Sequence, residues 1–543
     1  MSAEIQLLDC TLRDGCYIVN SMFGSAAIRG MIEKLSEARV DIIECGWLKN
    51  SEHTEGSAFY HVPSDLEPYL LHKDPNRVYV VMIDWDRYDL SYLPPCDGKS
   101  VDAVRVVFPH GRHREGIAVG NQIREKGYRV FYQAANTLAY SDEELIELAD
   151  AMSQAAPECL SVVDTFGAMY EEDLERIVRI LDAHLSPAVK LGFHSHNNQQ
   201  LSFALTQHFV RLLANGSRGI VVDASLCGMG RGAGNTTTEL AVSYLNRKQG
   251  CHYNLDAIMD AIDTYMVYFT ERYKWGYNTS YFIAGLYCCH VNNLAYLLDQ
   301  HRTGARDMRH IIASLPPADR LRYDYDLLES KYLENQRRYI DDSAACDALR
   351  AALQGRSIVL IAPGKQSVQC RDAVNAYIQA HDSIVIAVNA LLPGFDYDYA
   401  FFVNPSRYDY ASKAQPEIFA SVKRVILSNI NGSAAGDEYQ IAYDHAVKPG
   451  WKYFDNAVIC CLRLLEYLGA SGAAIAGFDG FSEVYNESYA DPMLPSLNIG
   501  SGWSALNDEI KAMFAAFKAE ARSCREIGFL TKSFFNDGGT LLS

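Results

Sequence analysis

A TIM (β/α)8 barrel with a helical extension, followed by a second, Rossmann-like α/β domain, is the fold this sequence predicts. Three observations carry that reading. Eight short, apolar, β-branched runs recur through the first 225 residues, each followed by a charged stretch of helical spacing. From Cys251 to Ala345 the spacing turns helical and no strand is convincing. Beyond "DALRAALQGRS" a fresh strand and helix alternation begins. At 543 residues the chain exceeds one ordinary core, so several domains are expected.

The eight runs are "IQLLDC" from Ile5, "VDIIECG" from Val40, "VYVVMID" from Val78, "VDAVRVVF" from Val101, "YRVFYQA" from Tyr128, "CLSVVDT" from Cys159, "KLGFHSH" from Lys190 and "GIVVDAS" from Gly219. Runs this apolar suit strands buried on both faces, as in a parallel sheet. The pieces between them, such as "SDEELIELADAMSQ" and "YEEDLERIVRILDAHL", read as amphipathic helices with acidic first turns. Eight such units point to a barrel, whereas an open doubly wound sheet would carry a GxGxxG turn after its first strand, absent here. The domains expected are 1–250 for the barrel, 251–345 for the helical extension and 355–543 for the second α/β unit. The latter rests on "SIVLIAPGKQSV", "SIVIAVNAL", "YDYAFFVNP", "KRVILSNIN" and "GAAIAGFDG".

Bulk properties narrow the function. A net charge of −18 argues against a nucleic-acid binder, which needs a basic face. No apolar run reaches the ~18 residues of a membrane span, and "MSAEIQLLDC" lacks a secretory pattern, so a cytoplasmic protein is expected. Fourteen cysteines without a CxxC pair read as reduced, mostly packed thiols. The apolar, aromatic faces of the helical extension suit either a homodimer contact or packing on the barrel.

In a barrel, polar residues at the carboxyl ends of strands gather at one mouth, where the chemistry is done. Here those ends carry Asp9, Arg13 and Asp14, then Glu44, Asp84, Gln133 with Asn136, Asp164 with Thr165, His194 with His196, and Asp223 with Ser225. In "GFHSHNN", His194 and His196 stand two apart, so both imidazoles face the same side of a strand. Two histidines and one carboxylate make a three-ligand face with open positions, and Asp14 is the best third ligand. The alternative is a pair of histidines satisfied by polar neighbours.

"LLDCTLRDG", "FHSHNN" and "DASLCGMGRGAGNTTTE" resemble the signature segments of the DRE-TIM metallolyase superfamily, which includes 3-hydroxy-3-methylglutaryl-CoA lyase, isopropylmalate synthase and 4-hydroxy-2-oxovalerate aldolase. The resemblance covers about residues 1 to 300. It implies Asp14, His194 and His196 as ligands of a divalent metal, Mn2+ or Mg2+, with Arg13 beside the reacting oxygen and Glu44 completing the Asp-Arg-Glu set. Asn235 matches an asparagine that approaches the metal. "CGMGRGAGN" is closer to the pyruvate aldolase branch than to the condensing synthases or the CoA lyases. In that branch the residue at Thr165 contacts the pyruvate carboxylate. "WGYNTSYF", with Tyr277 and Tyr281, resembles the segment that reaches over the site. With Asn136 at the same mouth, the expected substrate contacts are Arg13, Asn136, Thr165 and Tyr277; the expected catalytic groups are Arg13, Tyr17, Glu44 and Tyr281.

The implied activity is that of a class II, metal-dependent aldolase, a carbon-carbon lyase that joins or splits a 2-oxo acid and an aldehyde through a pyruvate enolate. One letter departs from the pattern. Where the pyruvate aldolases read RDGxH, this chain has Tyr17, a poor base at its ordinary pKa near ~10. A shifted Tyr17, His53, a metal-bound water or a different natural substrate would each account for it.

In the second domain, "FDNAVICCLRLLEYLGASGAAIAGFDGFS" resembles Rossmann-like domains of bacterial sialyltransferase-like and surface-polysaccharide proteins. That implies nucleotide or nucleotide-sugar binding, with Gly364, Asn389, Asn404 and Asp479 as candidates, and a sugar-derived aldehyde in polysaccharide biosynthesis. The alternatives are an acetyl-CoA-dependent Claisen condensing enzyme, or an inactive barrel scaffolding the C-terminal domain.

Overall fold

The computed structural model describes residues 3–301, 303–432, 437–452, 456–482, 485–495, 502–536 and 538–542; residues 454 and 455, which open the last segment quoted above, lie outside them. The chain divides into two compact units. Unit one comprises Met1–Leu294 with Pro316–Tyr323, and unit two comprises Ala295–Leu315 with Asp324–Ser543.

Unit one is a closed parallel barrel with surrounding helices. Its strands are β1 (Ile5–Asp9), β2 (Ile42–Leu48), β4 (Val78–Asp84), β5 (Ala103–Phe108), β6 (Arg129–Ala134), β7 (Cys159–Asp164), β8 (Lys190–Ser195) and β9 (Ile220–Ala224), with a two-residue strand β3 (Phe59–Tyr60) beside β2. Closure comes from β1, which pairs with β9 on one side and with β2 on the other. The eight apolar runs of the sequence thus all form barrel strands. The helix Asp142–Ala155 starts where Ser141 and Glu144 exchange hydrogen bonds in a capping box, as its acidic first turn indicates.

Strand periodicity explains how an apolar barrel acquires a polar mouth. Ile42, Val80, Ala103, Phe131, Cys159 and Val221 form an apolar cluster with Leu8 and Cys10. Two residues further along β2, β5, β6, β7 and β9 stand Glu44, Arg105, Gln133, Ser161 and Asp223, all buried. Side chains two apart share a face, so an apolar layer gives way to a polar one. In β2 the pairing register shifts between Glu44 and Trp47. Gly46 sits there at φ +144, where an added Cβ would stand 2.1 Å from the Ala58 carbonyl oxygen.

Unit two holds a seven-stranded, wholly parallel sheet. Its strands are β10 (Ile358–Ile361), β11 (Ile384–Val388), β12 (Tyr399–Phe402), β13 (Lys423–Leu427), β14 (Glu438–Ile441), β15 (Gly472–Ala476) and β16 (Glu526–Phe529). Their order is β14-β13-β12-β11-β10-β15-β16. The five runs seen in the sequence are β10 to β13 and β15; the short edge strands β14 and β16 carry too little apolar pattern to be read. Between residues 251 and 345 the described residues form helices and no strand, and those helices are shared between the two units.

Candidate active site at the mouth of the barrel

After β1 the chain makes one helical turn, Thr11–Asp14, that buries Arg13 and Asp14. Asp9 anchors this turn: its carboxylate accepts from the Thr11 amide (2.9 Å) and the Thr238 hydroxyl (2.6 Å), and burial pushes its pKa up to about 6. Asp9 therefore supports the mouth rather than facing it.

From Asp14 a line of buried ion pairs runs across the barrel. Arg13 Nη1 donates to Asp14 Oδ1 at 2.6 Å, and Arg13 Nε donates to Glu44 Oε2 at 2.8 Å. The same Glu44 oxygen accepts from Arg105 Nη1 at 2.9 Å, while Arg105 Nη2 donates to Asp223 Oδ2 at 2.6 Å. Asp223 Oδ2 lies 3.1 Å from His194 Nδ1. Gln133, with its amide turned to suit both neighbours, accepts from Arg105 and from the Ser161 hydroxyl. Three carboxylates against two guanidiniums leave one net negative charge in a buried space. Buried charge of that kind calls for a compensating cation.

The Asp14, His194 and His196 side chains converge so that one ligand atom of each lies within 4.8 Å of the others. His196 Nδ1 stands 3.8 Å from Asp14 Oδ2. Burial alone would raise the Asp14 pKa, but Arg13, the two histidines and the Asn235 amide outweigh it and hold the carboxylate well below its usual range. Burial lowers His196 to about 4, against the pull of Asp14, so its imidazole is neutral at pH 7. An ionised carboxylate and a neutral imidazole are the forms that bind metal. Asn235 Nδ2 donates to Asp14 Oδ2 at 2.7 Å, and its buried Oδ1 finds no protein partner among the described residues. His196 Nδ1 is likewise unpartnered by hydrogen bonds. Gly230 keeps the space clear: a Cβ there would come within 2.3 Å of Asn235 Nδ2 and 2.5 Å of Asp14 Oδ2. These residues fit a divalent cation.

Around this cluster the other expected residues are unevenly placed. Thr165 and Asn136 meet, the Thr165 hydroxyl accepting from the Asn136 amide at 2.7 Å. Asp164 turns away to accept from the Ala168 and Met169 amides, and burial pushes it up to about 7. Tyr17 is 43% exposed, with its ring edge-on to Trp47 and the Arg231 guanidinium 4.5 Å from its centroid. Desolvation nevertheless outweighs Arg231 and raises its hydroxyl to about 12. His53 has both ring nitrogens engaged, with the Phe59 carbonyl (2.8 Å) and the Tyr69 hydroxyl (3.3 Å). Tyr277 is 58% exposed in the loop before the helix Thr279–Leu286, and Tyr281 is half-buried in that helix. In unit two, Gly364 lies against Asp479, Asn389 Oδ1 accepts from the Val403 amide (3.2 Å), and Asn404 caps the helix Pro405–Ala414.

Sequence reasoning missed Arg105 and Arg231. The signal for Arg105 was present in "VDAVRVVF", where an arginine on the inward register of an apolar strand must have a buried partner. Arg231 gave none, since its position depends on the glycine-rich loop after β9.

A family model described as HMGL-like matches residues 113–265. A 4-hydroxy-2-oxovalerate aldolase 2 from Salinispora arenicola is 30% identical over 276 residues, covering 49% of this chain and 75% of the relative. A 4-hydroxy-2-oxovalerate aldolase from Pelotomaculum thermopropionicum is 28% identical over 273 residues, covering 48% of this chain and 75% of the relative. Among solved structures, the carboxyl transferase domain of Rhizobium etli pyruvate carboxylase with pyruvate superposes with a TM-score of 0.46 at 14% identity, over 64% of this chain and 65% of that one.

Proposed function

This chain belongs to the HMGL-like family, alongside relatives named 4-hydroxy-2-oxovalerate aldolase, and we propose that its barrel forms or cleaves a 4-hydroxy-2-oxo acid through a pyruvate enolate. The observation that carries the reading is the buried Asp14, His194 and His196 cluster, set beside the half-committed Arg13. Asp14, His194 and His196 would hold a divalent cation, with the Asn235 Oδ1 facing it. Imidazole donors favour Mn2+ over Mg2+, which prefers oxygen ligands. When bound, the cation supplies positive charge next to the carboxylate and 2-oxo oxygens of the substrate.

The chain's own residues supply the rest. Arg13 is locked by Glu44 and Asp14 along one edge, and its Nη2 has no protein partner among the described residues. That nitrogen donates to the enolate oxygen as carbon-carbon cleavage places charge there. The Thr165 hydroxyl accepts from the Asn136 amide and so has its proton free to donate to a substrate carboxylate. Tyr17 is un-ionised at neutral pH, so it donates a hydrogen bond to the aldehyde oxygen, and the 4-hydroxyl proton leaves to solvent water at the open mouth, where Tyr17 itself is partly exposed. Lys49, Asp84 and Arg231 put charge around this mouth, which suits a hydroxylated aldehyde, such as a sugar-derived one, over an alkyl one.

The test needs no knowledge of the aldehyde. Wild-type protein with Mn2+ should exchange the methyl protons of pyruvate with D2O, followed by NMR. Asp14→Ala and His196→Ala should each lose more than about 100-fold of that rate and bind Mn2+ more weakly. Undiminished exchange in both variants, or thiol release from acetyl-CoA by a protein that exchanges no pyruvate protons, would refute the proposal.

A further inference from the structure

The sheet of unit two reverses its winding between β10 and β15: β11 to β14 follow on one side of β10, while β15 and β16 lie on the other. In open parallel sheets the loops at such a reversal diverge and leave a crevice at the carboxyl ends of the strands. Here the two loops approach closely. The Gly364 amide donates to the Gly477 carbonyl at 3.0 Å, and a Cβ on Gly364 would stand 2.6 Å from the Asp479 carboxylate. The carboxylate accepts from the Gln366 amide through Oδ2 (2.8 Å), while its buried Oδ1 has no partner among the described residues.

The helix after β12 brings a second unsatisfied group to the same edge. Arg407 is 5% exposed, and its Nη1 has no hydrogen-bond partner among the described residues. Its guanidinium lies 4.7 Å from the centroid of the Tyr489 ring, and Tyr489 in turn bridges to Gly364. Asn429, after β13, donates to the Val403 carbonyl and the Gln336 amide, yet its own buried Oδ1 is unmatched. Tyr410 and Phe481 pack with Tyr489 around the edge. A buried guanidinium without a carboxylate costs stability unless something anionic completes it.

We propose that the sheet edge carrying Arg407 and Asp479 binds a nucleotide. Arg407, held against the Tyr489 ring, takes the phosphate, the half-buried Phe481 ring packs against the base, and Asp479 Oδ1 accepts from the ribose hydroxyls. This goes beyond a generic nucleotide fold because it assigns the anion to an arginine that no sequence motif marks, and it is independent of the barrel's chemistry.

Isothermal titration of the full chain with AMP, CMP, UMP, ribose 5-phosphate and inorganic phosphate tests it. At least one nucleotide should bind saturably, more tightly than inorganic phosphate. Arg407→Gln should weaken that nucleotide at least ~10-fold. Asp479→Asn should weaken the nucleotide and ribose 5-phosphate while leaving inorganic phosphate unchanged. A structural role for the guanidinium is separated by thermal unfolding without ligand: Arg407→Met should melt at or above the wild type. Failure of all the nucleotides to bind, binding of inorganic phosphate alone, undiminished affinity in Arg407→Gln, or a lower melting temperature in ligand-free Arg407→Met would each overturn the assignment. Pyruvate proton exchange, measured on the same variants, should not change.

Discussion

Replacing Arg105 by methionine isolates the buried charge line from the groups that touch substrate. Arg105 is 1% exposed and joins Glu44 to Asp223 through bonds of 2.9 and 2.6 Å. Each charge-assisted hydrogen bond contributes roughly 1.5–3 kcal/mol. The larger effect is that both carboxylates stay behind, and stranding a buried charge costs about 3–5 kcal/mol. For a unit of this size that corresponds to a fall of roughly 6–10 °C in the barrel's melting temperature. The melt is best followed with chelator present, so that metal binding does not add to the stability. Asp223 also loses the bond that fixes it beside His194, so Mn2+ affinity should fall about 10- to 100-fold. Arg105→Lys keeps the charge but cannot span both acids, and it should fall between the two. If Arg105→Met melts within about 2 °C of the wild type and binds Mn2+ as tightly, the charge line does not organise the site.

Other substitutions probe separate parts of the reasoning. Gly230→Ala pushes a methyl group into Asn235 and Asp14, so pyruvate exchange should drop more than about 10-fold with the circular dichroism spectrum unchanged; full activity would show that the loop simply moves. Tyr17→Phe removes one hydrogen-bond donor, worth roughly 0.5–1.5 kcal/mol, so carbon-carbon cleavage should slow by no more than about 10-fold while exchange persists. A loss of several orders of magnitude would make Tyr17 the base after all. Asp479 has its pKa raised to about 6 by burial, so the folded state holds its proton to higher pH than the unfolded chain. The stability it contributes is complete below the unfolded value of 3.8 and is lost as pH rises toward about 6. Asp479→Asn should therefore raise the melting temperature of unit two at pH 7.5 and leave it unchanged at pH 3.5; an equal shift at both would refute burial as the cause.

Much of this was legible before any coordinates. Short continuous apolar runs alternating with stretches of helical spacing marked all eight barrel strands, because each strand is buried on both faces and flanked by amphipathic helices. Asp14, His194 and His196 could be grouped because i and i+2 share a strand face and β1 closes the barrel. The edge strands β14 and β16 escaped, since four residues with only the last one buried carry no clear period. Asp9 and Asp164 looked like mouth residues from their strand-end positions, yet each turns back to cap local backbone amides, a choice made by side-chain rotamers and loop geometry.

By itself, then, the sequence determined the barrel and the candidate ligands at its strand ends, because these depend on residue type and spacing along the chain, while the departure at Tyr17 showed only against the family pattern that the chain resembles. Only the tertiary structure decided how charge is shared. Arg105 neutralises Glu44 and Asp223 from three different strands, Arg231 reaches Tyr17 from a loop 214 residues away, and Arg407 meets no acid among the described residues. Coulomb energy depends on distances of a few ångströms and on local dielectric, and neither is written in the order of the letters.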